Sequence, residues 1–446
     1  MVCPLSGGSV RMRPSEWGPG RRVQSGGARS RALPLAPATA SGLAFPRVTR
    51  SRSQRPRLSR RMLPLVLLGL VVAGCRSPAP HPFPIGIYAP GGAGNLPRLA
   101  EAGFDVVAGP ASRPFFDAAH AARIRVLAVP GSAAGPAFDS RAARTAVANV
   151  GNHPALWAWY LADEPDLHGI SASDVRRVQS AVRRAGSLRP TAVTTWHGTA
   201  LARFAGTDIL MVDHYPVGLG PIAAFFKEVR SGRAVADAAR RKFVPVLQAM
   251  DWSVYPPEIR GLAGGEPAGS AASRAPSLAE FRCMAWGARV LGADGLFFYC
   301  YDDGRWRMPE HPGTWQDLVR VVREIRDLEP LFLARQPRVP VGLEWFEPGR
   351  RLNEALESSV LATLLEVDRG NGTVKPGRYV VLVNTTAEDH LVRLGRADWR
   401  GVEVPWLGTG KSVHLGDGQW LDPLPPYGVM ILGPLPAELP LEPAAE

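Results

Sequence analysis

The sequence predicts an α/β fold, a (β/α)8 (TIM) barrel followed by a small antiparallel β-sandwich domain, and three observations carry that prediction. Between residues 84 and 336, short apolar runs alternate with helical patterns eight times. Such alternation builds a parallel sheet, and about 250 residues is the usual size of a barrel. The strand-like runs are apolar from end to end, which suits a sheet covered on both faces. After about residue 337 the helices cease, and strand-like segments separated by turns follow one another.

Residues 85–89 (IGIYA) read as the first strand. Residues 95–102 are helical and close at Gly103, a usual residue just past a helix C-terminus. Residues 105–108 and 125–129 (RVLAV) give the second and third strands, with helices over 115–122 and 140–150. The fourth strand begins at Leu156. Residues 173–185 have the apolar spacing of a helix face, with arginines outside. Residues 191–197 (TAVTTWH), 209–213 (ILMVD), 243–248 (FVPVLQ) and 295–301 (GLFFYCY) supply the last four strands. Helices over 201–204, 222–240, 278–291 and 315–328 follow them in turn; Gly292 closes the third of these and Pro330 ends the last. A doubly wound open sheet is the alternative. It wants a glycine fingerprint after its first strand, and Gly91-Gly92-Ala93-Gly94 lacks the full pattern and an acidic ribose partner. In the C-terminal part, 339–345, 359–367, 378–384, 390–394, 401–404 and 429–432 are strand-like; 437–446 is a loose tail.

Charge is distributed unevenly. The net charge of +12 lies wholly in residues 1–61, which hold thirteen arginines and one acid, Glu16; from Met62 onward 39 basic residues meet 39 acidic ones. The folded part therefore offers no net basic field for nucleic acid. Residues 1–61 lack hydrophobic periodicity and read as a disordered leader, or as an over-extended start with translation beginning nearer Val48 or Met62. Residues 62–75 (MLPLVLLGLVVAGC) have a basic flank, an apolar run and small residues before Cys75, the pattern of a signal peptide. The apolar run is shorter than the roughly 17–25 residues that span a bilayer. Its ending, Val72-Ala73-Gly74-Cys75, resembles the bacterial lipoprotein box, which implies lipidation of Cys75 as the mature N-terminus. Arg76 follows, which by resemblance to Gram-negative sorting points to the outer membrane. Residues 76–83 are a Pro-rich tether. Cys283 and Cys300 remain, as two buried thiols or as a disulfide. No His/Cys cluster has zinc spacing, and no cofactor is expected.

The chemistry is concentrated where the strands end. Residues 155–165 (ALWAWYLADEP) run apolar and aromatic into two carboxylates, and Pro165 stops the ladder. An acid emerging from a buried strand is desolvated, which raises its pKa and suits it to hold a proton. On the residues alone, the pair either does this or merely caps the next helix. A barrel gathers its C-terminal strand ends around one mouth. Here those ends bring Tyr88, Asp163, Glu164, Trp196, His197, Asp213, His214, Tyr215, Gln248, Asp251, Trp252, Tyr299, Tyr301, Asp302 and Asp303. Aromatic rings offer flat faces to sugar C–H groups and carboxylates accept hydroxyl hydrogen bonds, so a carbohydrate suits this mouth. Structural readings stand beside these: satisfied histidines for His197 and His214, core lids for Trp196 and Trp252, and a turn for Asp302-Asp303-Gly304.

Three stretches make the likeness specific: WYLADEP at the fourth strand, VPVLQ at the seventh, and AEFRCMAWGARVLGADGLFFYCY for the seventh helix and eighth strand. With them the chain resembles the clan-A-type glycoside hydrolase superfamily over residues 84–336, in a bacterial lipoprotein branch with a C-terminal β-domain at 337–436. The resemblance implies that Glu164 is the general acid/base. It departs at two points: the usual Asn-Glu is Asp163-Glu164, and the glutamate nucleophile ending strand seven is replaced by Gln248. Asp251 or Asp213 then supplies the second carboxylate. Alternatively, the acid pair acts as in substrate-assisted hexosaminidases, or the site only binds glycans. The expectation is a lipid-anchored envelope glycosidase cleaving O-glycosidic bonds; the alternatives are a non-catalytic glycan-binding lipoprotein and a structural envelope protein on the same scaffold.

Overall fold

The computed structural model describes residues 82–262, 273–337, 343–347, 350–351, 359–395, 400–417 and 419–436. Cys75 and the other residues of the leader, the signal segment and most of the tether lie outside them. Among the described residues, no helix is long and apolar enough to cross a membrane.

The apolar runs form the parallel barrel. Its strands are β1 (Ile85–Ile87), β2 (Val106–Pro110), β3 (Arg125–Val129), β4 (Leu156–Asp163), β5 (Thr191–Thr195), β6 (Ile209–Val212), β7 (Lys242–Phe243), β8 (Val246–Gln248) and β9 (Leu296–Tyr299). They pair in the order β7-β6-β5-β4-β3-β2-β1-β9-β8. Sequence periodicity suggests one continuous seventh strand over 243–248. Pro245 divides it into β7 and β8, because proline has no N–H to give to a ladder. Val244 N still donates to Leu210 O on the β6 side (3.0 Å), and Pro245 O accepts from Phe297 N on the β9 side (3.0 Å). A parallel bridge between Asp213 and Val246 completes the closure.

Helices α1 (Leu96–Ala102), α2 (Arg113–Ala121), α3 (Ser140–Val150), α4 (Ala172–Arg184), α5 (Ala223–Ala239), α6 (Pro257–Leu262), α7 (Leu278–Val290), α8 (Pro312–Asp327) and α9 (Glu329–Leu333) are spaced along the barrel segment between and after its strands. Capping boxes at Ser171/Asp174 and Ser277/Glu280 start α4 and α7 by satisfying orphan N–H groups. Gly103 ends α1 in the left-handed region, φ 104°. After β5 the connection is a 3-10 helix, Gly198–Phe204, in place of a full α-helix. A Cβ on Gly198 would lie 2.1 Å from the Glu228 carbonyl, so the chain passes very close to α5 there.

Helix α7 is buried nearly all round, as expected of a helix covered on both sides. One cover is the C-terminal β-domain: Cys283 Sγ meets Asn384 O at 3.3 Å, and Arg282 Nη1 donates to Val429 O at 3.0 Å. Arg289, in its last turn, is 4 % exposed and gives its guanidinium to the carbonyls of Leu331 and Ala334 at the end of α9. Cys283 and Cys300 are buried thiols that are not joined in a disulfide.

The β-domain is a two-sheet sandwich. One sheet orders β11 (Arg350–Arg351), β10 (Leu343–Glu347), β14 (His390–Gly395) and β17 (Gln419–Leu424); the other orders β12 (Val360–Val367), β13 (Gly377–Asn384), β18 (Val429–Leu435), β15 (Val402–Trp406) and β16 (Lys411–Leu415). Every pairing is antiparallel. Val360, Leu364, Val380, Leu382, Val392, Val404 and Leu424 from both sheets share one core. Strands β11, β16 and β17 are absent from the sequence expectation. β17 carries Pro423, which argues against a strand, but it is an edge strand pairing only with β14, where a missing N–H is tolerated.

Gly86 of β1 lies opposite Phe297 of β9, and a Cβ there would stand 2.3 Å from the Phe297 ring. Gly86→Ala should therefore overpack the barrel and cost about 1–3 kcal/mol. Gly94→Ala, with nothing within 4 Å of its Cβ, should stay within about 0.5 kcal/mol of wild type. Urea unfolding of both variants checks the pair; equal stability would show that the Gly86–Phe297 contact does not constrain the barrel.

Candidate active site

The β4 sequence LWAWYLAD is buried along most of its length, and its polar groups appear only as it leaves the sheet. Glu164 N donates to Thr194 O of β5 (3.0 Å), and the Glu164 carbonyl accepts from Leu167 N and His168 N (3.1 Å each). The chain thus turns at Glu164, which adopts φ 41°. A left-handed non-glycine residue is strained, and such strain is kept where the surroundings over-determine it. The turn leaves Glu164 only 2 % exposed.

A pocket at the barrel mouth is lined by Tyr88, Asp163, Glu164, Asp213, Tyr215 and Tyr299. These come from the ends of β1, β4, β6 and β9, so the strand ends converge as a barrel requires. Tyr160 donates its hydroxyl to Asp163 Oδ1. Tyr88 OH and Thr194 Oγ1 are 3.2 Å apart, and Tyr215 OH reaches Asp213 Oδ2 at 3.4 Å. Asp213 Oδ1 is buried with no hydrogen-bond partner. Burial, then the charges of Glu164 and Asp163, pushes the Asp213 carboxyl well above the usual aspartate range. Burial, then Asp163 or Asp213, also raises the phenols of Tyr88, Tyr160 and Tyr215, which keeps them neutral donors.

Two supporting residues were not singled out from the sequence. His168 Nε2 lies 3.6 Å from Glu164 Oε2; the only sequence signal is the four-residue spacing, obscured by Pro165. Asp166 accepts from the backbone N–H groups of Trp196 (3.2 Å) and His197 (3.0 Å), tying the end of β5 to the turn after β4. Trp196 packs on His214, ring centroids 4.7 Å apart, and on Tyr215 at 5.8 Å. Burial, then His197 and Lys227, pushes His214 down to about 4, so it is neutral at pH 7. His197 is exposed, with Nδ1 3.9 Å from Glu228 Oε1.

Several expected contacts serve the scaffold instead, and none of them lines this pocket. Gln248 is fully buried: its Oε1 accepts from Val217 N (2.8 Å), and its Nε2 donates to Val217 O (2.9 Å) and Met250 O (3.1 Å). Those backbone bonds need both a donor and an acceptor, which an amide supplies and a carboxylate does not. Asp251 caps the 3-10 turn Trp252–Val254, accepting from Ser253 N (2.7 Å) and Ser273 Oγ (2.8 Å). Trp252 is buried and donates Nε1–H to Tyr215 O (3.0 Å). Tyr301 is buried, and Asp302 Oδ1 holds the turn through Gly304 N (3.0 Å). Asp303 accepts from Tyr255 OH (2.8 Å) and Tyr299 OH (3.0 Å), orienting the latter ring. Among the described residues, no group of His, Cys, Asp and Glu is placed to hold a metal ion.

The raised acid has a consequence for stability. A carboxyl whose folded pKa exceeds its unfolded one stabilises fully below the unfolded value, about 4, and loses that contribution as pH rises through the folded value. Asp213 faces Glu164, Asp163 and Asp166 as charges, with the neutral phenols of Tyr88 and Tyr215 beside it. Asp213→Asn removes the ionisation, so its melting temperature should exceed that of wild type at about pH 8, with the gain shrinking towards about pH 4. A difference that is flat with pH would remove Asp213 as the raised group.

No protein-family model and no curated protein matches the chain. Solved structures do. A glycoside hydrolase family 5 protein from Bacteroides vulgatus aligns over 78 % of this chain and 88 % of its own, with TM-score 0.50 and 10 % identity. A family 27 β-L-arabinopyranosidase from Geobacillus stearothermophilus covers 80 % of this chain and 97 % of its own at TM-score 0.49 and 12 % identity. A family 42 β-galactosidase from G. stearothermophilus covers 78 % and 98 % at TM-score 0.47 and 10 % identity. At such identities the likeness is one of fold: this chain has the barrel fold found in a family 5 glycoside hydrolase, as the resemblance to clan-A-type enzymes implies.

Proposed function

We propose that the protein is a glycoside hydrolase in which Asp213 and Glu164 divide the work of acid and carboxylate. The observation that carries this is their burial together in one pocket at the C-terminal mouth of a glycoside-hydrolase-like barrel. Glycosidic cleavage asks for two carboxyl groups whose surroundings assign them different protonation. Burial, then the charges of Glu164 and Asp163, raises the Asp213 carboxyl, which suits it to deliver the proton to the departing oxygen. Glu164 stabilises the positive charge that develops at the anomeric carbon. This exchanges the role that the resemblance gives Glu164, and it places the second carboxyl on strand six, not on strand seven.

Glu164→Gln and Asp213→Asn should each lower hydrolysis of natural glycosides about 10²–10⁴-fold. A dinitrophenyl leaving group needs little protonation, so Asp213→Asn should regain most of its rate on such glycosides, while Glu164→Gln should not. Asp251→Asn keeps the cap and should remain within about threefold of wild type, because Asp251 lies outside the pocket. Recovery by Glu164→Gln instead of Asp213→Asn would reverse the two roles. A wild type that binds glycans and hydrolyses none would return the protein to the glycan-binding reading.

The site of action proposed is the bacterial envelope, with the barrel held at the outer membrane or cell surface through lipidated Cys75. Support comes from the basic flank, apolar run and small residues before that cysteine. Mass spectrometry of the membrane fraction should find diacylated, N-acylated Cys75 as the first residue, and Cys75→Ser should abolish the lipid. An unmodified Cys75 in wild type would refute the anchor.

A further inference from the structure

We propose that the end of the barrel opposite the pocket is a surface for anionic phospholipid, so that the mouth opens away from the bilayer; the choice of a membrane rests on the anchor proposed above. In a parallel barrel the turns that lead from helices into strands gather at the end opposite the mouth. Residues 119–125, 149–155, 182–190, 203–208 and 233–242 make the approaches to β3, β4, β5, β6 and β7, which are consecutive in the sheet. Together these segments hold ten arginines and lysines and two acids, Asp208 and Asp237. Asp208 is taken by Arg183 (2.9 Å) and Arg241 (3.7 Å), and Asp237 by Arg233. The neighbouring turns add Glu101, Asp105 and Asp294. Asp105 pairs with Arg125 and Arg326, and Asp294 with Arg233 (3.0 Å) and Lys242 (2.9 Å). Arg123, Arg184 and Arg240 stand exposed beside these pairs. Basic and acidic residues balance from Met62 onward, so the charge is divided within the barrel, with acids at the mouth and cations at the opposite end.

The helix dipole favours a cation at a helix C-terminus, which accounts for such arginines singly. It does not account for Leu188, which is 90 % exposed between Arg184 and Arg189. The turn that presents this leucine is held firmly. Ser187 is buried and accepts from Trp159 Nε1 (2.8 Å), and Arg183 Nη1 donates to the carbonyls of Ser187 (3.1 Å) and Arg189 (2.7 Å). Arg189 Nη2 in turn donates to His153 O (3.3 Å) in the adjoining turn. An apolar tip held outward among arginines suits a bilayer interface, where the leucine enters the acyl boundary and the cations meet phosphates. A nucleic acid or another polyanion would use the cations and gain nothing from the leucine. The path of the chain points the same way. Phe83 O accepts from Arg326 Nη1 (2.7 Å), and the same guanidinium donates to Gly103 O and Asp105 Oδ1 (2.8 Å each). The chain therefore enters the barrel at this end. Pro82 follows Cys75 by seven residues, at most about 25 Å of extended chain.

The test uses the chain from Arg76 onward, which holds every described element and lacks both the lipid and the basic leader. Binding is measured by sedimentation with vesicles of pure phosphatidylcholine and of equal phosphatidylcholine and phosphatidylglycerol. The mixed vesicles should be bound at least about tenfold more tightly, and high salt should remove that preference. Arg123→Asn, Arg184→Gln and Arg240→Asn combined should reduce it to about threefold or less. Asparagine is chosen at the two positions where φ is 61° and 56°, which it tolerates. Leu188→Ser should weaken binding to the mixed vesicles about threefold or more. An environment-sensitive dye on Leu188→Cys should shift to the blue on these vesicles, while the same dye on Gly94→Cys, at the mouth, should not; this readout needs no arginine variant. Equal binding of both vesicles, no binding of either, a preference that survives the arginine variant, or a dye shift at Gly94 as large as at Leu188 would overturn the inference. Binding that heparin displaces and that Leu188→Ser leaves unchanged would mark a general polyanion site and also overturn it. The chain tested carries no lipid, so vesicle binding and the mass measurement on Cys75 can fail separately, and glycoside hydrolysis is read apart from both.

Discussion

Three carboxylic acids share one end of a barrel whose interior is filled by apolar side chains, and their mutual repulsion is the constraint around which the site is arranged. Ionised acids cannot enter the barrel interior, where a charge without a partner costs far more than the fold can spare. They gather where strands emerge. Even there Glu164 and Asp213 are almost wholly buried, so full ionisation of all three is unfavourable. The molecule answers with neutral donors: Tyr160 on Asp163 and Tyr215 on Asp213. Burial, then the charges of Glu164 and Asp163, also raises the Asp213 carboxyl, which favours its neutral form.

The same economy explains the few polar groups elsewhere in the core. Arg289 survives inside because it meets the carbonyls that end α9, the negative end of a helix. Glu280 is buried but is the reciprocal partner in the Ser277 capping box and also meets Arg274. Both sit on α7, whose Cys283 and Arg282 make the contacts to the sandwich already described. A helix buried nearly all round therefore carries its ionisable residues where a backbone group or an opposite charge waits for each.

Much of this was legible in the sequence, and what was not has a physical cause. The apolar strands announced a sheet covered on both sides, and the polar residues at their ends marked the mouth. Tyr88, Asp163, Glu164, Asp213, Tyr215 and Tyr299 could all be named from that rule, and they do line one pocket. The rule could not separate them from Gln248, Asp251, Trp252, Tyr301 and Asp302, which stand equally close to strand ends. That separation depends on whether a backbone partner lies across a loop, as Val217 does for Gln248 thirty-one residues away. Nor could local pattern identify the raised acid. Glu164 was the natural choice after an aromatic strand, but the Asp213 shift arises from burial and then from the charges of Glu164 and Asp163, which lie on a segment about fifty positions distant in the chain. β17 was hidden by Pro423, whose cost vanishes at a sheet edge.

Strand seven, which lacks the acid that the resemblance leads one to expect, contributes support instead. Gln248 grips the peptide of Val217 on both its N–H and its C=O, and Trp252 holds the Tyr215 carbonyl. These contacts fix the segment that leaves β6, and that segment carries Asp213 and Tyr215 into the pocket. A glutamate at position 248 would lose the donor and set a carboxylate against the Val217 carbonyl, so the amide and the strand-six acid form a matched arrangement. On this geometry Gln248 is a positioning residue, acting on the pocket through the loop it holds. The departure from the usual pattern at strand seven and the raised carboxyl at strand six are then two ends of one structural feature, joined by the three residues of chain between Asp213 and Val217.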